Sequence, residues 1–203
     1  MRPTDPKRRA RILGAAFKLF LSRGYAGTNT REIARGAQVS KRELYALFGS
    51  KQSILASCIA ERSREMRLPL QLPEPKTRAE LAAALTRFGG AVLQVICDPT
   101  VVGLYRLAAS ESQRAPEIAR ALDTSGRRGN REALARVITR AQEAGLLRAG
   151  DPAALAESFF ALLYGDLQLP LILRLVPRPS ASELDARARA ASTGFLALHA
   201  RQV

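Results

Sequence analysis

Residues 28–51, TNTREIARGAQVSKRELYALFGSK, constrain this chain more than any other stretch. Asn29 stands three residues before Glu32, and Ser40 three before Glu43. In such a pair the first side chain accepts from the N3 amide and the acid reaches back to the cap's own N–H. The two helix starts lie about a dozen residues apart, which leaves room for two turns of helix and a tight connection. Ile33, Ala34 and Ala37 give the first helix a small apolar face. Val39, Leu44, Leu47 and Phe48 supply the contacts of the turn and the second helix. This is the grammar of a helix-turn-helix. Lys41, Arg42, Glu43 and Tyr45 are left on the outside of the second helix, where they suit a DNA groove.

The charge supports that reading. The 203 residues carry 32 Lys and Arg against 18 Asp and Glu, a formal charge of +14. Twelve of the basic residues and only three of the acids fall in residues 1–51, so a quarter of the chain holds about two-thirds of the excess. An anionic partner at that end follows from the asymmetry. The only histidine is His199, and Cys58 and Cys97 stand alone in apolar surroundings. That pattern implies no metal site and no cofactor, and fits a reducing cytoplasm. No secretory leader is expected. The longest apolar run, 159–176, is broken by Gly165, Asp166, Gln168, Pro170 and Arg174, so no membrane partner is expected.

Taken in order, the chain reads as all-α, with about nine helices. A helix from about Asp5 to Arg23 repeats Ile12, Ala16, Leu19 and Phe20 at helical spacing and ends at Gly24. Its basic first turns place Arg8 and Arg9 as phosphate contacts. The motif helices run about 30–36 and 41–47, and a fourth helix runs 51–67. Pro69, Pro73 and Pro75 then form a joint. Further helices open at Thr77, Asp98-Pro99, Pro116, Asp151-Pro152 and Ser180. The expected division is a helix-turn-helix domain at 1–50, a connecting helix and joint at 51–76, and a helical domain at 77–203. The last two helices, expected at about 152–174 and 180–199, carry apolar stripes: Leu155, Phe159, Leu162, Leu163 and Leu169 on one, Leu184, Ala188, Ala191, Phe195 and Leu198 on the other. Helix-turn-helix readers of DNA work as two-fold dimers, so these stripes are the expected homodimer interface.

The stretch TNTREIARGAQVSKRELYALFGSKQSIL resembles the DNA-binding signature of the TetR family of bacterial transcriptional regulators. SESQRAPEIARAL and GLLRAGDPAALAESFFALLYGDLQL resemble the AefR-like subgroup of its C-terminal domains. The resemblance implies a C-terminal ligand-binding and dimerisation domain, a double-stranded operator as partner, and a small-molecule effector of unknown identity. It implies phosphate contacts from Thr28, Asn29, Thr30 and Arg31, whose helix start also offers free N–H groups. Ser40 then caps the recognition helix, Lys41, Arg42 and Tyr45 face outward, and Tyr45 and Lys51 anchor phosphates. The chain departs from the family pattern at Gln38, where a turn glycine is usual, and at Arg42, Glu43, Ala46 and Leu47. Arg42 can read guanine. Two roles are open to Glu43: accepting from cytosine, or closing the capping box. For the effector, the resemblance points to Phe88, Val92, Tyr105, Arg106, Phe159, Phe160 and Tyr164, each of which also reads as ordinary core. Arg106 can meet an acidic ligand, Glu111 or Asp166.

The function expected is a ligand-responsive regulator, a repressor released from a partly palindromic operator by an inducer. Charge alone also supports a protein that binds nucleic acid or anionic surfaces without sequence preference. No metal cluster, Gly-rich phosphate loop or Ser/His/Asp set supports an enzyme.

Overall fold

The computed structural model describes residues 6–65, 74–113 and 116–201. Residues 1–5 of the arm expected at 1–6, and most of the Pro69–Pro75 joint, lie outside them. The described residues form eleven α-helical segments: α1 (Pro6–Arg23), α2 (Thr30–Gly36), α3 (Lys41–Phe48), α4 (Lys51–Glu65), α5 (Arg78–Ile96), α6 (Pro99–Glu111), α7 (Pro116–Leu122), α8 (Arg128–Glu143), α9 (Pro152–Tyr164), α10 (Gln168–Ile172) and α11 (Ala181–His199). A π-helical turn, Asp123–Arg127, joins α7 to α8. Among the described residues there is no strand, only one isolated bridge between Leu147 and Ala200.

One expected helix, 152–174, is divided in the structure, whereas the stretch opening at Pro116, read as helical to about Ala144 with a pause near Ser125-Gly126, pauses there. The stretch from 152 to 174 breaks because Gly165 adopts φ 45° and ψ −130°, a conformation closed to residues with a β-carbon. Pro170 also has no N–H to offer the carbonyl of Asp166 in a continuous helix, but fits the first turn of the new one. The stretch from 116 to 144 gives α7 and α8 because Asp123-Thr124-Ser125-Gly126-Arg127 has no apolar side chain to hold an α-helical register against a neighbour.

The chain packs as two compact units that interleave in sequence. One comprises Met1–Met66 with Gly103–Gly126, the other Arg67–Val102 with Arg127–Val203. These packing units and the expected functional segments 1–50, 51–76 and 77–203 are different divisions of the chain.

In the first unit α1 buries Ile12, Leu13, Ala16, Phe17 and Phe20. Phe17 replaces Leu19, which stays partly exposed, in the expected stripe. Ile33, Ala34, Leu44, Phe48, Ile54, Leu55, Cys58 and Ile59 complete this core. Each fully buried Leu, Ile or Phe contributes about 1.5–3 kcal/mol. Gly103 of α6 lies against α1: a β-carbon there would come within 2.9 Å of the Leu21 side chain.

In the second unit α5, α8, α9 and α11 enclose Leu81, Leu85, Phe88, Val92, Leu134, Ile138, Phe159, Leu163, Ala188 and Phe195, all nearly or fully buried. Among the described residues α5 is the one helix with the length and hydropathy of a membrane span. The apolar residues of α5 are the ones that build this core.

The end of α11 is latched. Arg148 N–H donates to the His199 carbonyl at 2.9 Å, and Arg201 N–H to the Leu146 carbonyl at 3.3 Å. The Arg148 guanidinium also reaches His199 Nδ1 at 3.0 Å, while Nε2 lies 2.9 Å from the Ser158 hydroxyl. A guanidinium only donates, so Nδ1 accepts and the imidazole proton sits on Nε2. Burial, and then the neighbouring Arg148 charge, lowers the pKa of this imidazole.

Candidate nucleic-acid interface

The second motif helix is set by its caps. Ser40 is extended at φ −74° and ψ 153°, and its hydroxyl accepts from the Glu43 N–H at 3.1 Å. Glu43 Oε2 accepts in return from the Ser40 N–H at 2.9 Å and its hydroxyl at 2.8 Å. Oε1 takes an ion pair from Arg8 at 3.2 Å. These bonds hold the Glu43 carboxyl below its ordinary value, the Ser40 backbone bond contributing most. Of the two roles open to Glu43, the structure shows the capping box, with both oxygens occupied.

The first motif helix forms the expected box in part: the Asn29 backbone bonds Glu32 and helps to lower its pKa, but the Asn29 side chain takes a different partner. Asn29 accepts from the N2 amide, that of Arg31, at 2.9 Å, not from N3. Glu32 pairs with Arg23 at 2.7 Å, and that bond leads in lowering its pKa. An acid one turn into a helix is attracted by the nearest cation as well as by the cap, and Arg23 at the end of α1 is close enough to compete.

The turn between α2 and α3 is a Schellman closure built on a non-glycine. Val39 N–H donates to the Ala34 carbonyl at 3.0 Å and Gln38 N–H to the Arg35 carbonyl at 3.1 Å. Gln38 takes the left-handed position, φ 54°, where glycine is normal. The departure from the family pattern is therefore met by the strained backbone, not by a different turn.

The remaining expected contacts fall into two groups. Thr28 is buried and its hydroxyl donates to the Gly24 carbonyl at 2.7 Å. Thr30 is buried with its hydroxyl 3.2 Å from that of Tyr45. Arg9 lies 4.8 Å from the ring centroid of Phe48, and Lys51 4.3 Å from that of Tyr25. These side chains brace the motif, as does Arg8 on Glu43. Facing outward are Asn29, Arg31, Ser40, Lys41, Arg42 and Tyr45. Lys41 leans over the Tyr45 ring at 5.6 Å. Among the described residues Arg42 makes no hydrogen bond or ion pair. A groove between α1 and α2, lined by Arg11, Lys18, Arg23 and Arg35 with Glu32 as the only acid of its lining, is a basic surface absent from the expected residues. Its signal in the sequence is the i, i+7 pair Arg11 and Lys18.

The expected effector residues fall in both compact units. Phe88, Val92, Phe159 and Phe160 are in the core of the second unit. Phe88 lies 6.1 Å from Phe159 and 5.8 Å from Phe160 between ring centroids, and Phe160 lies 5.5 Å from Tyr164. These rings fill space by packing on one another. Tyr105 and Arg106 belong to the first unit and are partly exposed.

The two apolar stripes also divide. Leu155, Phe159, Leu163, Leu184, Ala188, Ala191 and Phe195 lie inside the protomer, whereas Leu162, Leu169 and Leu198 are 37%, 60% and 58% exposed. Leu162 sits over Gly194, its methyls 3.8 Å from where a β-carbon would stand, one turn before Leu198. Leu173, Leu175 and Val176, absent from the expected interface, are exposed as well.

Residues 83–201 match the family description "AefR-like transcriptional repressor, C-terminal domain", more than half of the chain, and residues 12–58 match "Bacterial regulatory proteins, tetR family". The chain belongs to the TetR family. Members of the TetR family are DNA-binding transcriptional regulators and not enzymes. The HTH-type transcriptional regulator YvkB of Bacillus subtilis (strain 168) is 32% identical over 94 residues, 46% of either chain. HbdR of Aromatoleum sp. (strain CIB), another HTH-type regulator, is 48% identical over 56 residues, 26% of this chain and 24% of its own. The matched stretches thus span less than half of these curated relatives. Solved structures match along the whole chain. A TetR regulator from Agrobacterium tumefaciens is 27% identical with a TM-score of 0.84, covering 98% of this chain and 96% of its own. The flavonoid-responsive regulator FrrA is 31% identical with a TM-score of 0.81, covering 98% and 100%. The TetR motif at 12–58 runs from α1 into α4 and includes the bracing contacts of Thr28, Thr30 and Lys51, whereas Arg8 and Arg9 stand just before it.

Proposed function

We propose that this TetR-family protein is a cytoplasmic repressor that binds a partly palindromic operator as a homodimer and releases it on binding a small molecule. The observation that carries the DNA reading is the division of labour on α3. Ser40, Glu43, Leu44 and Phe48 are committed to holding the helix. Lys41, Arg42 and Tyr45 remain on the outer face, with Arg31 at the start of α2. Arg42 is the base reader, bidentate to a guanine. Arg31, Lys41 and Tyr45 contact phosphates, and Lys51 and Arg9 hold the motif from beneath.

The homodimer face is the exposed part of the two stripes, Leu162, Leu169 and Leu198, with the groove of Leu162, Leu167, Arg187 and Ala190 beside it. A second copy bringing the same residues makes an isologous contact and buries leucines that a lone protomer leaves in water. The flavonoid response of FrrA supports effector control of a similar fold. By linkage, the effector must bind the free protein more tightly than the operator-bound protein, and its binding favours a separation of the two reading helices that does not fit the duplex.

The test is selection of bound duplexes from a random pool at physiological salt, followed by competition with unrelated DNA. A recovered inverted repeat, bound at least about a thousandfold more tightly than random duplex, is expected. Uniform binding that falls steeply with salt would instead mark a sequence-independent binder.

A further inference from the structure

Glu111, the last residue of α6, is buried to 6% exposure, and among the described residues its Oε2 has no hydrogen-bond partner. A buried carboxyl oxygen without a partner is costly in either protonation state. Ionised, it lacks a donor; protonated, its O–H lacks an acceptor. The position adds a second cost. Glu111 lies at the negative end of the α6 dipole, and α6 has no basic residue in its last turn. The rest of its face is apolar: Leu104, Leu107 and Ala108, seven, four and three residues earlier, are all buried in the same compact unit. A leucine at 111 would continue that face at no electrostatic cost. The bonds of the DNA-binding motif do not use this carboxylate, and neither does the exposed leucine face.

A positively charged group with an N–H relieves both costs at once. It donates to Oε2, and its charge offsets the carboxylate and the helix end together. A neutral hydroxyl relieves only the first, and an anion worsens the second. We infer that Glu111 anchors a binding site in the first compact unit for a small organic ammonium ion, whose N–H donates to Oε2. This rests on the reading of the chain as an effector-controlled regulator and gives that effector a chemical class.

The test uses the full chain and n-alkylammonium ions from propyl to octyl, each matched with the n-alcohol of equal length, with affinity read by calorimetry. The intact protein is expected to prefer ammonium over alcohol by about tenfold, as for a hydrogen bond to a charged group. Glu111→Leu is expected to abolish that preference and to raise Tm by about 3 °C, because it removes an unpartnered buried carboxylate. Equal affinities for ammonium and alcohol in the intact protein overturn the inference. So does a Glu111→Leu variant that melts lower, which would make Glu111 a structural group. Duplex selection on the same samples separates the two readings. A protein that selects no operator but discriminates ammonium from alcohol loses the repressor function and keeps the site. One that selects an operator without that discrimination loses the site alone.

Discussion

Replacing Gln38 with glycine is expected to stabilise the DNA-binding motif by about 1 kcal/mol. The reasoning starts from φ 54° at a residue with a β-carbon. A left-handed conformation costs such a residue about 1–2 kcal/mol. Glycine removes that cost but loses about 0.5–1 kcal/mol through the greater freedom of its unfolded chain. Gln38 is exposed, so no core contact is lost with its side chain, and the Ala34 and Arg35 carbonyls keep their bonds to backbone N–H groups. The net gain of about 1 kcal/mol corresponds to about 3 °C in Tm for a chain of this length. Circular dichroism melts and urea titrations of Gln38→Gly and Gln38→Ala measure it. The alanine variant keeps the β-carbon and its strain, and should stay within about 0.5 kcal/mol of the parent. Glycine and alanine variants of equal stability would refute the strain argument. A glycine variant less stable than the parent would show that the Gln38 side chain itself holds the turn.

Arg42→Ala should cost about 1–3 kcal/mol of operator affinity and relax preference at one position per half-site, whereas Tyr45→Phe should weaken all duplexes evenly; selection profiles of the two variants distinguish these outcomes. Leu162→Asp combined with Leu198→Asp should give a folded monomer by analytical ultracentrifugation, while Phe159→Ala, in the protomer core, should lose about 3–5 kcal/mol of stability. Burial, and then the Arg148 charge, lowers the pKa of His199 in the folded state, whereas its unfolded imidazole takes up a proton near pH 6.5, about its ordinary value. The unfolded state then binds a proton that the folded state resists, so the contribution is full above about pH 6.5 and is lost as pH falls below it. Urea midpoints across that interval should drop with pH in the parent and flatten in His199→Gln.

Local chemistry made the motif readable from the sequence. A capping box needs two residues three apart, and the Ser40–Glu43 box is complete in the structure. The Asn29–Glu32 pair met a cation from another helix, which no local spacing could foretell. The limits of the apolar stripes are of a different kind. Leu162 and Leu163 are neighbours on one helix, yet one is 37% exposed and the other fully buried. A stripe wider than the surface it packs on reads the same along its width, and only the position of α11 decides where the protomer core ends. The break at Gly165 and Pro170 was written in those two residues, but the apolar run across them masked it. The orphaned Glu111 oxygen had no signature, since partnering depends on every element nearby.

The division of roles on α3 also bears on how such a regulator diverges after gene duplication. The residues that keep the helix folded and those that face outward are almost disjoint: Ser40, Glu43, Leu44 and Phe48 on one side, Arg42 and Ala46 on the other. Substitutions at 42 and 46 can therefore accumulate without passing through unfolded intermediates. If α3 reads the operator as proposed, a daughter copy can acquire new target genes by single-residue steps, while any change at 43 must first be offset at Ser40 and Arg8.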